Sequence, residues 1–257
     1  MPRETIHLKT PEEIEIMAKG GRMLAKVIDE IKHNARVGVS LEKLDRLAFR
    51  LIKEFGAEPA FLGYCPEGAE KAYPATICAS LNNVVVHGVP DKKILKSGDV
   101  LKLDLGLRYR GLCVDAAVTV GIGEVSSGAK KMMEVTQTAL AFAIEVAKPG
   151  KRIGDIGYTI EKYVTKNGLK VIRGLTGHGI GKKLHEEPVV FNFGSLGRGL
   201  KLQPGLTIAI EPMTSMGSPD IVQLKDESYA TSDGSLSAQF EHTIAITEDG
   251  ARILTLL

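Results

Sequence analysis

Hydrophobic residues recur at helical spacing in four segments of the chain. The first segment opens with Thr10-Pro-Glu-Glu13, in which Thr10 is the expected N-cap, Pro11 the first helical residue and Glu13 the partner that completes a capping box. The apolar residues that follow this opening are Ile14, Met17, Met23, Leu24, Val27 and Ile31. A second helix is predicted to begin at Ser40 and to end at Gly56.

The same arrangement returns later in the chain. Residues 127–147 predict a long helix, and the apolar residues from Ile153 to Tyr163 predict another that is closed by Gly168. An offset of 112 residues aligns Gly38 with Gly150 and Gly56 with Gly168. Helices of similar length can align by coincidence, but the recurrence of both glycines favours two structurally related halves.

After each helix pair the pattern changes to short runs of β-branched residues. These runs are residues 75–78 and 84–88 in the first half, and residues 207–210 and 243–247 in the second. Helices and strands are segregated and hairpins are frequent, which favours an α+β fold with an antiparallel sheet covered by helix pairs. No linker or low-complexity run interrupts the pattern, so residues 1–257 are expected to form one domain with two related lobes.

One predicted hairpin brings two acids together. If its turn centres on Tyr109 and Arg110, Asp104 lies directly opposite Asp115. Opposed residues of antiparallel strands have Cβ atoms only ~4.5–5.5 Å apart, and like charges there are destabilising. The acids could flank the turn with Arg108 and Arg110 as counter-charges, one carboxyl could hold a proton, or a cation could lie between them. We favour the cation because further acids occur in similar settings.

Three other segments carry polar residues in apolar or glycine-rich surroundings. His178 lies in Gly174-Leu-Thr-Gly-His-Gly-Ile-Gly181, Glu211 ends the run Thr207-Ile-Ala-Ile, and Glu241 is expected on the opposite strand face from its neighbours Phe240 and His242. Taken singly, His178 could be an ordinary loop histidine and Glu211 an exposed strand end. Together, four carboxylates and one imidazole indicate hard or borderline divalent ions, and four negative charges could offset two such ions.

Composition narrows the class of protein only slightly. The chain has 257 residues, a formal net charge of +2, and 44% hydrophobic residues, which is ordinary for a globular protein and gives no indication of nucleic-acid binding. Its start lacks the apolar core of a signal peptide, and no run approaches the ~18 apolar residues of a membrane span. Three cysteines without a CxxC pair suit a reducing compartment, so a cytoplasmic location is expected.

Over nearly its whole length the chain resembles the type 1 methionine aminopeptidases of bacteria. The matching segments are Asn82-Asn-Val-Val-Val-His-Gly-Val-Pro90, Leu103-Asp-Leu-Gly with Val114-Asp, Thr176-Gly-His-Gly-Ile-Gly, Ile210-Glu-Pro-Met and Ser237-Ala-Gln-Phe-Glu-His-Thr. The resemblance implies the two-halved pita-bread fold and removal of an N-terminal methionine by dinuclear-metal-assisted hydrolysis. It also implies the metal ligands, which are Asp104, Asp115, His178, Glu211 and Glu241.

The resemblance further implies which ions and residues take part. Asp115 and Glu241 would bridge two divalent ions (Co²⁺, Mn²⁺, Fe²⁺ or Zn²⁺), and a monovalent cation (Na⁺ or K⁺) is expected near Asn82, Val84 and Ser237. Glu211 is the expected proton carrier, and His178 would hold metal and polarise the scissile carbonyl. The residues expected to bind or orient substrate are His87, His185, Tyr64, Cys78 and Phe61. By themselves, His87 could be a satisfied strand histidine and His185 a solvent-exposed one.

Two departures from the family pattern concern the rim of the substrate pocket. A tryptophan often found before the last ligand segment has no counterpart near Glu227 to Tyr229, and residues 66–71 look like a local expansion. The expected partners are nascent polypeptide N-termini, which emerge at the ribosome, and a monomer is the default expectation. A prolidase-like or broader aminopeptidase would share the ligands, and a non-catalytic binding protein would have lost them.

Overall fold

Two pairs of helices frame the molecule in the computed structural model, which describes residues 6–65 and 71–256. Helices α1 (Pro11–Asn34) and α2 (Leu41–Glu54) form the first pair, and α3 (Ser127–Val146) and α4 (Ile153–Lys166) form the second. The capping box predicted at Thr10 is confirmed, because its hydroxyl accepts from the Glu13 amide and the Glu13 carboxylate accepts from the Thr10 amide. The predicted expansion at residues 66–71 lies almost entirely outside the described residues.

The internal repeat predicted from the glycines is confirmed in backbone conformation. Gly38 and Gly150 have φ angles of +87° and +88°, and Gly56 and Gly168 have +69° and +82°. Each glycine follows a helix end at which a left-handed residue is required, so a side chain there would strain the backbone. The two halves therefore terminate and connect their helices in the same way.

All strand pairs in the described residues are antiparallel, and the strands form four sheets with the orders β1-β4-β2 (β5 also pairs with β4), β13-β10-β6, β11-β12-β3 and β15-β14-β9-β7-β8. In the first half the strands are β1 (Glu58–Pro59), β2 (Cys78–Leu81), β3 (Val84–Val86), β4 (Val100–Tyr109) and β5 (Leu112–Gly121). In the second half they are β6 (Lys170–Val171), β7 (Thr176–Gly179), β8 (Glu186–Phe191), β9 (Thr207–Ile210), β10 (Met213–Ser215), β11 (Ile221–Gln223), β12 (Tyr229–Thr231), β13 (Ser237–Gln239), β14 (His242–Thr247) and β15 (Gly250–Ile253).

The first predicted strand begins later than expected. Residues 75–77 precede β2 because the amides of Thr76 and Ile77 donate to the Asp45 carboxylate of α2 and not to a neighbouring strand. Likewise β3 ends at Val86, and His87 adopts a φ of +61° that leaves the strand. Both differences come from local polar contacts that an apolar pattern does not show.

The predicted register of the acidic hairpin is wrong. The turn lies at Arg110 and Gly111, whose φ angles of +50° and +82° fit a two-residue type I′ turn. Asp104 therefore pairs with Ala117, and Asp115 pairs with Gly106. The acids are diagonal neighbours on one face of the ribbon, a separation that long side chains still bridge.

The hydrophobic core has one large cluster in each half. The first lies between α1, α2 and the β4–β5 ribbon, and the second between α3, α4 and the sheet around β9 and β14. Where the halves meet, two threonine hydroxyls connect β5 to the β13–β14 segment. Thr119 Oγ1 accepts from the Gln239 amide and donates to the Gln239 carbonyl, and Thr243 Oγ1 does the same with the backbone of Asp115. The seam brings the acids of both halves side by side.

Candidate metal centre

Asp104 and Asp115 enter the centre from the first half. Both are buried, at 7% and 3% exposure, in strands whose other residues are almost all apolar. The alternative in which Arg108 and Arg110 are the counter-charges is not supported: Arg108 donates to the carbonyls of Gly111 and Lys182, and the Arg110 guanidinium lies over the Tyr109 ring. The two carboxylates therefore face each other without a basic side chain from their own turn.

Glu211 and Glu241 enter from the second half, at matched interruptions of two paired strands. Chain segment β9–β10 breaks at Glu211 and Pro212, and β13–β14 breaks at Phe240 and Glu241. Ile210 pairs with His242 before the break and Met213 with Gln239 after it, so continuing the register places Glu211 opposite Glu241. The continuous strand predicted at Glu241 is therefore wrong. Its amide leaves the ladder and donates to Ala117 of β5.

His178 reaches the acids from β7. Its Nε2 lies 3.9 Å from Asp115 Oδ2 and 3.7 Å from Glu211 Oε1, and its Nδ1 contacts the Gly179 carbonyl at 2.9 Å. The flanking glycines are required by close packing, since a Cβ at Gly177 would lie 2.3 Å from the Ala209 carbonyl oxygen. Ligand atoms of Asp115, His178 and Glu241 lie within 4.8 Å of one another.

The electrostatics of the cluster are unfavourable without a cation. Burial, followed by mutual repulsion, raises the pKa values of Asp104, Glu211 and Glu241 well above their usual range, and burial raises that of Asp115 to about 7. Burial also lowers the pKa of His178 to about 4, which favours the neutral imidazole that binds metal. Asp104 Oδ1, Asp115 Oδ1 and Glu241 Oε1 are buried without a hydrogen-bond partner. An oxygen-rich set with unpaired oxygens fits divalent ions.

Two residues that hold Glu211 were not singled out from the sequence. Gln239 Nε2 donates to Glu211 Oε2 at 3.1 Å, and Asn192 Nδ2 donates to the Glu211 carbonyl at 2.9 Å. Both side chains are buried. An amide in an otherwise apolar strand, as in Ser237-Ala-Gln-Phe, is a signal that could have identified Gln239.

Of the other two histidines expected to take part, His185 lies against His178 and His87 lies against Tyr229. The rings of His178 and His185 lie 4.3 Å apart between centroids, and the Tyr64 hydroxyl contacts His185 Nδ1 at 2.9 Å. His87 lies edge-on to Tyr229, with ring centroids 5.9 Å apart. Tyr229 therefore places an aromatic ring in the segment where the family often has a tryptophan. The ring of His242 does not join this group and instead contacts the Thr255 hydroxyl at 2.9 Å.

The apolar residues expected to bind substrate lie beside the acids. Cys78 is buried and pairs directly with Asp104 in the β2–β4 ladder. Burial and the charge of Asp104 raise the thiol pKa well above its usual range, which opposes a nucleophilic role. Phe61 packs under the hairpin, where a Cβ at Gly106 would lie 3.0 Å from its ring. Two of the residues expected to bind a monovalent cation, Asn82 and Ser237, instead accept hydrogen bonds from Lys102 Nζ through their backbone carbonyls.

Comparison with known proteins gives consistent matches over nearly the full chain. The model of metallopeptidase family M24 matches residues 15–248. The chain is 44% identical to a methionine aminopeptidase of Aquifex aeolicus, covering 98% of this chain and 99% of the relative, and 39% identical to that of Escherichia coli, covering 98% and 94%. No helix in the described parts of the chain is long and apolar enough to cross a membrane.

Solved structures match equally well. A crystal structure of methionine aminopeptidase from Thermotoga maritima superposes with a TM-score of 0.94 at 42% identity, covering 98% of this chain and all of that one. A prolidase from Pyrococcus horikoshii has a TM-score of 0.77 at 24% identity and is covered over 63% of its length. At that identity the second match shows a shared fold only.

Proposed function

The chain belongs to metallopeptidase family M24, and we propose that its buried acids hold two divalent ions with which it removes the N-terminal methionine from nascent proteins and peptides. The whole chain, residues 1–257, acts as one catalytic domain. The observation that carries the proposal is the convergence of four carboxylates from both halves around His178, with three oxygens left unpartnered. The extent of similarity to methionine aminopeptidases supports the reaction.

Five side chains would hold the ions: Asp104, Asp115, His178, Glu211 and Glu241. The family resemblance implies that Asp115 and Glu241 would each contact both ions, and the proximity of their ligand atoms, within 4.8 Å, is compatible with that. Two divalent ions would balance the negative charges of four carboxylates and so remove the repulsion within the cluster. When bound, such ions supply a low pKa for an attacking water and polarisation of the scissile carbonyl. The ligand types admit Co²⁺, Mn²⁺, Fe²⁺ or Zn²⁺.

The residues around the ions transfer the proton and bind the peptide group of the substrate. Glu211 carries a proton from the attacking water to the leaving amine, and Gln239 fixes the orientation of its carboxylate. His178 would hold a metal and would help to polarise the scissile carbonyl. His185, oriented by Tyr64, and His87 donate hydrogen bonds to the peptide group as negative charge develops on it.

Specificity comes from a small apolar site for the methionine side chain. Phe61, Cys78 and Tyr64 provide it, and it lies next to Asp104 because Cys78 pairs with that residue. A thioether side chain adapts to such a surface without needing a hydrogen-bond partner. The substrates are nascent polypeptide N-termini in the cytoplasm, with the protein acting as a monomer.

A peptide series tests the reaction against the prolidase that shares the fold. The protein is supplied with Mn²⁺ and offered Met-Gly-Met, Leu-Gly-Met and an Xaa-Pro dipeptide, and free amino acid is measured. Methionine release that exceeds leucine release at least ~100-fold, with no cleavage of Xaa-Pro, supports the proposal. Preferred cleavage of Xaa-Pro would assign the chain to the prolidase reaction, and no cleavage with bound metal would indicate a binding protein.

A further inference from the structure

Lys102 is a completely buried lysine, with 0% exposure, on strand β4. Its Nζ donates to the carbonyl of Asn82 at 2.7 Å and to the carbonyl of Ser237 at 3.3 Å. Asn82 belongs to the turn between β2 and β3, whereas Ser237 begins β13 in the second half of the molecule. One amino group therefore ties the two halves together at a point two residues along the strand from Asp104.

These oxygens are the ones expected to hold a monovalent cation, and they do not fit one. The Asn82 carbonyl accepts from Lys102 Nζ and also from the amide and hydroxyl of Ser237, each at 3.1 Å. The Ser237 hydroxyl also lies 3.3 Å from the Val84 carbonyl. A carbonyl oxygen has two lone pairs, and a bound alkali ion needs lone pairs that are directed at it. In this chain protein donors already use them.

The Asn82 carbonyl is held in place from several sides. Asn82 has a φ of +54°, its Nδ2 donates to Asp99 Oδ1 at 3.0 Å, and its Oδ1 accepts from the Val100 amide at 2.9 Å. Its own amide donates to the Val100 carbonyl. These contacts aim the carbonyl inward in a fixed direction, as a site for a small cation requires.

We propose that the amino group of Lys102 takes the place of the monovalent cation, so that the fold is complete without bound Na⁺ or K⁺. A protonated lysine amine has three N–H donors and a neutral one has two, so either form can donate to the two carbonyls from different strands. Burial lowers the pKa of Lys102. Occupancy does not depend on its charge, since a neutral amine also donates. The inference is independent of the peptidase proposal because it concerns folding stability.

The test compares melting temperatures in KCl, NaCl and tetramethylammonium chloride at equal ionic strength. The wild type is expected to melt at the same temperature in all three. Lys102→Ala opens space at the carbonyls, so it should lose roughly 5 °C or more in tetramethylammonium and regain at least half of that loss in KCl or NaCl. Lys102→Met fills the space without a donor and should show the loss without the recovery. Lys170→Ala, an exposed strand lysine, is the control for removal of a lysine.

A crystal of the wild type soaked in RbCl provides a second measurement that needs no variant. The proposal expects no anomalous peak within bonding distance of the Asn82 and Ser237 carbonyl oxygens. A rubidium peak there, or a wild-type melting temperature that rises with K⁺ or Na⁺, would overturn it. So would a Lys102→Ala protein that fails to fold in every salt or melts identically in all three, because its carbonyls would then not accept a cation.

Discussion

Replacing Asp115 with asparagine should stabilise the metal-free protein while removing its activity. Burial raises the pKa of Asp115 from 3.8 to about 7. The folded protein therefore binds this proton more tightly than the unfolded chain, and its stability falls as pH rises between those values. At a little over 1 kcal/mol per pH unit, the charged carboxylate costs on the order of 4 kcal/mol above pH 7. An asparagine of the same shape carries no such cost and relieves the repulsion on Asp104, Glu211 and Glu241.

The assay is urea denaturation followed by circular dichroism after chelation, at pH 8 and pH 5. Asp115→Asn should exceed the wild type by several kcal/mol at pH 8 and by roughly half that or less at pH 5. Variant and wild type are compared at each pH because His178 and His242, whose pKa values burial lowers to about 4, change stability in the opposite direction. With Mn²⁺ at about 100 times its Kd, the wild type should gain about 3 kcal/mol and the variant much less.

Asp155→Asn is the matched control for replacing a buried aspartate. Burial alone would raise the pKa of Asp155, but amide hydrogen bonds from Gly197 and Arg152 lower it. Losing a charged acceptor at this helix start should destabilise the protein by about 1 kcal/mol at both pH values. If metal-free Asp115→Asn is less stable than the wild type at pH 8 while the control behaves as expected, the acids do not repel one another as argued.

Three further changes have defined outcomes. Glu211→Gln should stay folded and, after chelation, melt no lower than wild type, but with Mn²⁺ it should lower methionine release at least ~100-fold; near-normal turnover would remove Glu211 from proton transfer. Lys9→Met removes the buried partner of Glu186, 2.5 Å away, and should cost roughly 3 kcal/mol in urea denaturation, with partial recovery when Glu186→Gln is added; an unchanged stability contradicts this. His242→Gln should reduce the loss of stability as pH falls from about 6.5 to 4, because the buried ring of the wild type is held neutral. If the variant loses as much stability as the wild type over this pH range, the prediction is wrong.

Helix ends and the internal repeat could be predicted because they depend on local chemistry. Thr10 and Glu13 satisfy orphan amides within one turn, and Gly38 and Gly150 supply left-handed conformations that most other residues avoid. The hairpin register failed for a local reason too. A type I′ turn needs two residues with positive φ, so Gly111 was the better indicator of the second turn position.

Contacts between the halves could not be predicted from spacing. Lys102 lies 135 residues from Ser237, and nothing local indicates that its amine reaches that carbonyl. The same holds for Glu241, whose apolar neighbours suggest a continuous strand although its amide bonds to Ala117 across the seam. Residue types were sufficient to identify the acids as a set, but only the packing of two sheets shows which oxygens are left without partners.

The dependence of methionine release on bound metal tests the central claim most directly. The protein is stripped of metal, offered Met-Gly-Met, and then supplied with Mn²⁺ in steps while free methionine and bound metal are both measured. We predict no release from the stripped protein, and release that rises with metal bound at Asp104, Asp115, His178, Glu211 and Glu241 and is lost in Asp115→Asn. Full release from metal-free protein, or bound metal without any release, would contradict the account.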